Sequence, residues 1–285
     1  MRGAQPSRWA GCGLLSPVLL LLVVAFFAPL AFMAPVSVRP YRPGVGIGEG
    51  FTGEHYARLV SDAFYLEIIG RTVLLGLSVT FLTLVIGYPV AYFLARTQSR
   101  WRHWLTLLVV FPLLLNLVVR TFGWMAILAN RGLVNDLLMA LGWIEQPVKL
   151  MFNFTGLLIG LTHIFLPYMV LTLMGAIQNI PRDLEHAARV LGSGRLAAFR
   201  DVTVPLSVPG IVSGSILVFV LTITALVTPR LLGGPTYQVM STMIYDQFLR
   251  LLNWPAGSAM AFMLTLVVVA TIGLLNRAAR RWGVR

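Results

Sequence analysis

The chain has 285 residues, of which 58% are hydrophobic and 11% charged, with a formal net charge of +12 and a mean hydropathy of +0.82. So little polar surface excludes a water-soluble globule, and a single cysteine, Cys12, excludes an internal disulfide framework or a cysteine-based metal site. The basic excess is spread over loops that flank apolar runs, a positive-inside pattern that argues against nucleic acid as a partner.

About 20 apolar residues carry a helix across a bilayer. Six such stretches are predicted in chain order, at residues 14–36, 72–94, 104–128, 155–177, 211–228 and 258–276. The fold class is therefore all-α, a single transmembrane domain over residues 1–285. The first run follows Arg2 and Arg8 like a secretion signal, but it is longer than the ~7–15 apolar residues of a signal core and reads as a retained span. Residues 37–66 pass from a Gly/Pro-rich turn, RPYRPGVGIGEG, into a surface helix, EHYARLVSDAF, that is available to a partner outside the membrane. Residues 130–154 place Leu133, Leu137, Leu138 and Leu141 on one face, as in a helix lying at the membrane interface. The loops are too short for a soluble domain, and no repeat of about 20 to 50 residues is visible.

Arginine placement orients the spans. The amino end, residues 96–103, residues 179–209 and the carboxyl tail together carry 13 Arg against three acids, whereas the remaining loops carry eight Lys or Arg against seven acids. The first set is expected on the cytoplasmic side, with both termini inside.

Residues 179–211 form a polar island between two apolar runs. Pro181 suits a first helical turn; Leu184, Ala187, Ala188 and Leu191 fall on one face; Gly192 suits a stop. Ser193 is expected to cap a second short helix reaching Phe199, and Pro205 and Pro209 to break the chain before it returns to lipid. The island resembles the EAA signature loop of MetI-like permeases, the membrane subunits of binding-protein-dependent (type I) ABC importers. Ala187 and Ala188 match the paired alanines and Gly192 the glycine three residues on, while Val202, Thr203, Val204 and Pro205 match the Ile-x-Leu-Pro end. His186 stands where that family has its Glu, with Glu185 directly before it, so the carboxylate is displaced by about 100° around the helix. The resemblance implies a coupling loop over residues 179–209, with Glu185, His186, Ala187, Ala188, Leu191, Gly192 and Pro205 meeting a cleft in an ATPase subunit.

The loop after the fifth span reads TPRLLGGPTYQVMSTMIYDQFLRLLNWPAGSA. Pro229, Gly233, Gly234 and Pro235 are expected to end a helix and turn the chain. The matches at Thr228, Pro229, Leu231 to Gly234, Asn253 to Pro255 and Gly257 to Ala259 resemble the TP-x-LLGG and NWP-x-GSA elements of spermidine/putrescine-type permeases, as does VVRTF around Arg120. That resemblance implies a polyamine or related organic solute; relatives in the same family carry opines, aminophosphonates, thiamine or iron.

Candidate pathway residues are few. Arg120 is an ionisable group inside a span, Asn116 lies one turn before it, and Tyr168, Tyr237, Tyr245 and Trp254 are aromatic groups able to face a cation, with Asp246 the nearest acid. His55, His103, His163 and His186 lie far apart and form no HExxH pair, so no metal is expected. The chain lacks GxxxxGK[ST], and hence any cradle for ATP and Mg²⁺. The resemblance places those on two separate ATP-binding subunits and implies a second homologous permease and a periplasmic or lipid-anchored solute-binding protein. A secondary transporter needs buried coupling-ion acids, and a membrane enzyme needs a convergent catalytic set; neither is visible.

Overall fold

The computed structural model describes residues 8–281, most of them helical. Among these residues six helical runs are long and apolar enough to cross a membrane: Ser16–Ser37, Ala63–Arg96, Leu117–Ala140, Phe154–Gln178, Arg195–Thr224 and Trp254–Arg277. The elements are α1 (Arg8–Ser37), a two-residue hairpin of β1 (Tyr41–Arg42) and β2 (Gly46–Ile47), α2 (Glu54–Ser61), α3 (Ala63–Arg96), α4 (Arg102–Leu114), α5 (Leu117–Leu128), α6 (Leu133–Ala140) and α7 (Phe154–Gln178). There follow α8 (Arg182–Val190), α9 (Arg195–Ala198), a π-helical segment Phe199–Thr203, α10 (Val204–Thr224), a second π-helical segment Pro229–Gly233, α11 (Met240–Leu249) and α12 (Trp254–Arg281).

The centre is a three-helix core of α3, α7 and α10. Leu75, Val79, Leu157, Leu161, Met169, Leu173 and Val218 close it, and small residues let the axes approach. A Cβ on Gly76 would stand 2.7 Å from Ile223 and 2.8 Å from Phe219; one on Gly214 would stand 2.8 Å from the Met169 sulfur, and one on Gly210 2.2 Å from the Ala176 Cβ. In lipid, where apolar burial does not drive helices together, such close packing carries the association. A smaller apolar cluster of Leu59, Ile68, Met240, Met260 and Leu264 ties α2, α11 and α12 to the start of α3, and Thr72 Oγ1 accepts a hydrogen bond from the Met240 N–H at 2.9 Å.

Several sequence expectations are revised. The third predicted span, residues 104–128, is two helices that meet at Leu115 and Asn116. Pro112 removes a ladder N–H from the last turn of α4, and the Asn116 side chain accepts from the Val118 N–H at 2.8 Å, starting a new helix. Pro205 and Pro209 do not break the chain, because helix runs continuously from Arg195 to Thr224. The π turn, closed by the Val204 N–H to the Phe199 carbonyl, adds a residue to the turn, so Pro205 falls in the first turn of α10, where its missing N–H is tolerated. Pro229 likewise opens a helical segment instead of ending one: α10 has already stopped at Thr224, with Ala225 extended. Ser193 caps nothing with its side chain, because α9 starts one residue later, with Gly194 at its N-cap; the Ser193 N–H instead closes α8 through the Ala188 carbonyl.

Gly210→Val should overpack α10 against α7 at a cost of about 1–3 kcal/mol, read as a lower melting temperature of the detergent-solubilised protein.

Candidate functional site

The polar island folds as a two-helix knob at one end of the bundle. The α8 helix ends in a Schellman turn: the Ser193 N–H bonds the Ala188 carbonyl at 3.0 Å, the Gly192 N–H bonds the Arg189 carbonyl at 3.1 Å, and Gly192 adopts φ +96°. This left-handed position explains the glycine, and a side chain here would cost roughly 1–2 kcal/mol. The knob carries its apolar side chains outward. Val190 and Leu191 are each 87% exposed, Leu196 79% and Leu184 44%. Around them His186, Arg189, Ser193, Gly194 and Arg195 line a shallow hollow. Such side chains each gain about 1.5–3 kcal/mol on burial, so the knob is built to be covered by another surface.

Glu185 takes a different position from its neighbours. Its Oε1 accepts from Arg96 Nε at 3.0 Å and Nη2 at 2.6 Å and from the Thr203 hydroxyl at 2.8 Å. The ion pair is largely enclosed, with side-chain exposures of 12% and 18%. Arg96 Nη1 also donates to the Ile180 carbonyl at 3.0 Å, while Arg182 Nη2 donates back to the Arg96 carbonyl at 3.0 Å. The carboxylate therefore joins α8, the carboxyl end of α3 and the π segment, and is spent inside the chain. His186, displaced around the helix, is exposed. The mount is completed by Phe199, edge-on to Tyr88 at 5.7 Å and to Tyr92 at 4.9 Å, and by a 2.7 Å hydrogen bond between the Tyr88 and Ser207 hydroxyls. The bracing roles of Arg96, Thr203, Tyr88 and Phe199 escape sequence reasoning. The only signal for Arg96 is a basic residue at the end of a span, which the positive-inside rule already explains.

The remaining candidate residues do not converge on one pocket. Asn116 starts α5 and Arg120 stands one turn on. His163 Nδ1 accepts from Trp124 Nε1 at 3.1 Å. On the opposite end of the bundle, Arg71 lies over the Tyr237 ring at 5.2 Å and Arg230 over the Tyr245 ring at 4.6 Å. Asp246 accepts from Arg230 at 2.8 Å, with Arg250 at 3.7 Å. Two of the four aromatic faces expected to meet a cation, those of Tyr237 and Tyr245, already hold the chain's own guanidinium groups. Burial lifts the Tyr237 phenol above its ordinary value, Arg71 opposing, so it stays neutral at physiological pH. Trp254 is half-exposed at the start of α12, edge-on to Phe248 at 5.5 Å. Gly233 and Gly234 turn the chain against Phe152, which would clash with a Cβ on Gly234 at 2.4 Å. Among the described residues no group of three or more His, Cys, Asp or Glu gathers to hold a metal.

Six apolar helical runs around a tight core, with an exposed helical knob at one end, define a polytopic membrane transport subunit. The chain belongs to the family described as binding-protein-dependent transport system inner membrane component, matched over residues 84–284. It is 35% identical over 230 residues to a spermidine/putrescine transport system permease protein of Salmonella typhimurium, covering 81% of this chain and 80% of that protein. It is 31% identical over 201 residues to a molybdenum transport system permease protein of Mycobacterium bovis, covering 70% and 74%. Its fold superposes on a chain of a bacterial ABC transporter involved in the import of the acidic polysaccharide alginate, with a TM-score of 0.75, 19% identity and 96% of both chains covered. It also superposes on a chain of the MetNI methionine ABC transporter, with a TM-score of 0.59, 16% identity, and 77% of this chain and 96% of that one covered. The protein is a permease subunit of an ABC importer, a multi-pass protein of the inner membrane, and not itself an enzyme.

Glu185→Gln should leave Arg96 without its charge partner, a loss of about 1.5–3 kcal/mol for hydrogen bonds between charged groups. The expected readout is faster tryptic cleavage within residues 182–195 of the membrane-embedded protein, at unchanged protein yield.

Proposed function

We propose that this chain forms half of the translocation pathway of an ATP-driven importer, and that residues 179–209 are its cytoplasmic coupling loop. The observation that carries this reading is the outward apolar set Leu184, Val190, Leu191 and Leu196 on a knob braced to α3 and α10 through Glu185. An ATPase subunit covers that set. When two ATPase subunits close on ATP and Mg²⁺, the knob moves as a unit with the ends of α3 and α10, and the core helices shift access from one side of the membrane to the other. Hydrolysis resets them. The arginine distribution supports cytoplasmic termini and a cytoplasmic knob, with α2, α6 and α11 at the outer face where a loaded solute-binding protein docks. A second homologous permease supplies the other half of the path.

The solute we propose is a polyamine or a related organic molecule, supported by the spermidine/putrescine relatives and by the TPRLLGG and NWPAGSA elements. The described portions of α4, α5, α7 and α10 contain no acid, so strong binding of a polycation belongs to the separate binding protein and the permease offers a transient path.

Introducing charge with Val190→Glu and Leu191→Glu together should reduce ATPase subunit recovered with the tagged permease at least about ten-fold, equivalent to losing one buried apolar anchor, and should abolish uptake. Normal recovery and uptake would overturn the coupling assignment. His186→Ala should weaken ATPase recovery directly, whereas Glu185→Ala should act by loosening the mount. Equilibrium binding of radiolabelled putrescine and of spermidine to the partner binding protein tests the solute; absence of binding of both would overturn the polyamine assignment.

A further inference from the structure

Of the six spans α7 is the most enclosed, and it opens at one point. Among its described residues, every one from Gly156 to Met174 is buried or half-buried except His163. His163 stands nine residues after Phe154, the first of the helix, about 14 Å along the axis, and so lies inside the ~30 Å hydrocarbon layer. An exposed imidazole is costly against lipid chains, and ionisable side chains at that depth face the bundle interior or a water-filled cavity. The ring is fixed by Trp124 of α5, whose Nε1–H donates to His163 Nδ1 at 3.1 Å, with the two rings edge-on at 5.2 Å. An imidazole that accepts at Nδ1 is neutral and carries its proton on Nε2, so the group left to offer is an uncharged donor. The backbone adds an acceptor at the same residue. Pro167 lies inside α7, four residues on, and brings no N–H to the His163 carbonyl. In hydrocarbon a carbonyl freed in this way needs a polar neighbour or water. A side-chain donor and a main-chain acceptor thus coincide at the one opening of the helix, with no acid on α5, α7 or α10 to bind a cation tightly.

We infer that His163 lines the solute path inside the membrane and is a specificity-determining residue there, passing an amine-bearing solute from water to water without holding it. This rests on the proposal that the chain forms half of a translocation pathway. Lipid chains offer neither group a partner, whereas water and an amine offer both: an N–H for the His163 carbonyl and a water oxygen for Nε2–H. The neutral ring sets no like charge before an ammonium group, and Trp124 keeps it so by occupying Nδ1 with a donor.

The test uses the intact importer in proteoliposomes, with Cys12 of this chain replaced by Ser. His163→Cys should be labelled by aminoethyl methanethiosulfonate, a water-soluble thiol reagent that itself carries an ammonium group. In the otherwise unaltered chain, His163→Arg should lower ATP-driven uptake of radiolabelled putrescine at least about ten-fold, because it sets a fixed like charge in the path, at unchanged membrane abundance and ATPase recovery. His163→Gln, which keeps a neutral donor, should hold uptake within about two-fold. Labelling at position 163 by a lipid-soluble maleimide alone, or by neither reagent, would overturn the inference, and so would undiminished uptake by His163→Arg. If the unaltered importer takes up no putrescine, the polyamine assignment fails while the labelling still decides the path; if it recovers no second permease, the half-pathway proposal fails, an outcome distinct from all of these.

Discussion

The Arg96–Glu185 ion pair is the constraint on which the knob end of the molecule depends. A two-helix knob of so few residues has no core of its own, and its apolar side chains point outward. Its orientation therefore comes from polar bonds to the spans. One carboxylate oxygen gathers two guanidinium nitrogens and a hydroxyl, and the same guanidinium holds the Ile180 carbonyl where α7 gives way to α8. Enclosure strengthens these bonds, because neither solvent nor salt screens them well. A force applied to α8 is then delivered to α3 and to the start of α10, two of the three helices that make the core.

Irregular backbone is concentrated where the spans change character. The two π-helical segments, Phe199–Thr203 and Pro229–Gly233, flank α10 at its two ends, and each is associated with a proline. Widening the turn lets the proline take a position that needs no N–H. The Leu115–Asn116 break is different, since it interrupts a span outright and relies on one side-chain cap. In hydrocarbon every unmatched backbone group is costly, and the hydrogen bonds of the Asn116 cap and of the π turns keep that cost down.

At the end of the bundle opposite the knob the chain neutralises its own charges. Arg230 is shared between Asp246 and the Tyr245 ring, and Arg71 between Glu67 and the Tyr237 ring. These pairs bind the turn at Gly233 and Gly234, the short helix α11 and the start of α3 into one assembly. The aromatic and acidic groups act here as mortar for that end of the bundle.

Hydropathy alone determined that the chain is a multi-span helical membrane protein, because a bilayer demands about 20 apolar residues per crossing whatever the packing. The spacing from Ala187 through Gly192 to Pro205 located the knob, because a Schellman turn needs glycine at its left-handed position and the sequence shows it. Other features were decided only in three dimensions. Glu185 stands out in sequence only as a displaced carboxylate; its bracing role arises because Arg96, 89 residues away, arrives beside it. Pro205 and Pro209 read as breakers because local propensity cannot foresee a π turn that shifts the register, and residues 104–128 read as one span because hydropathy does not sense a cap at Asn116. Local rules describe one segment at a time, whereas these outcomes follow from contacts between segments distant in the chain or from backbone registers that hydropathy does not encode.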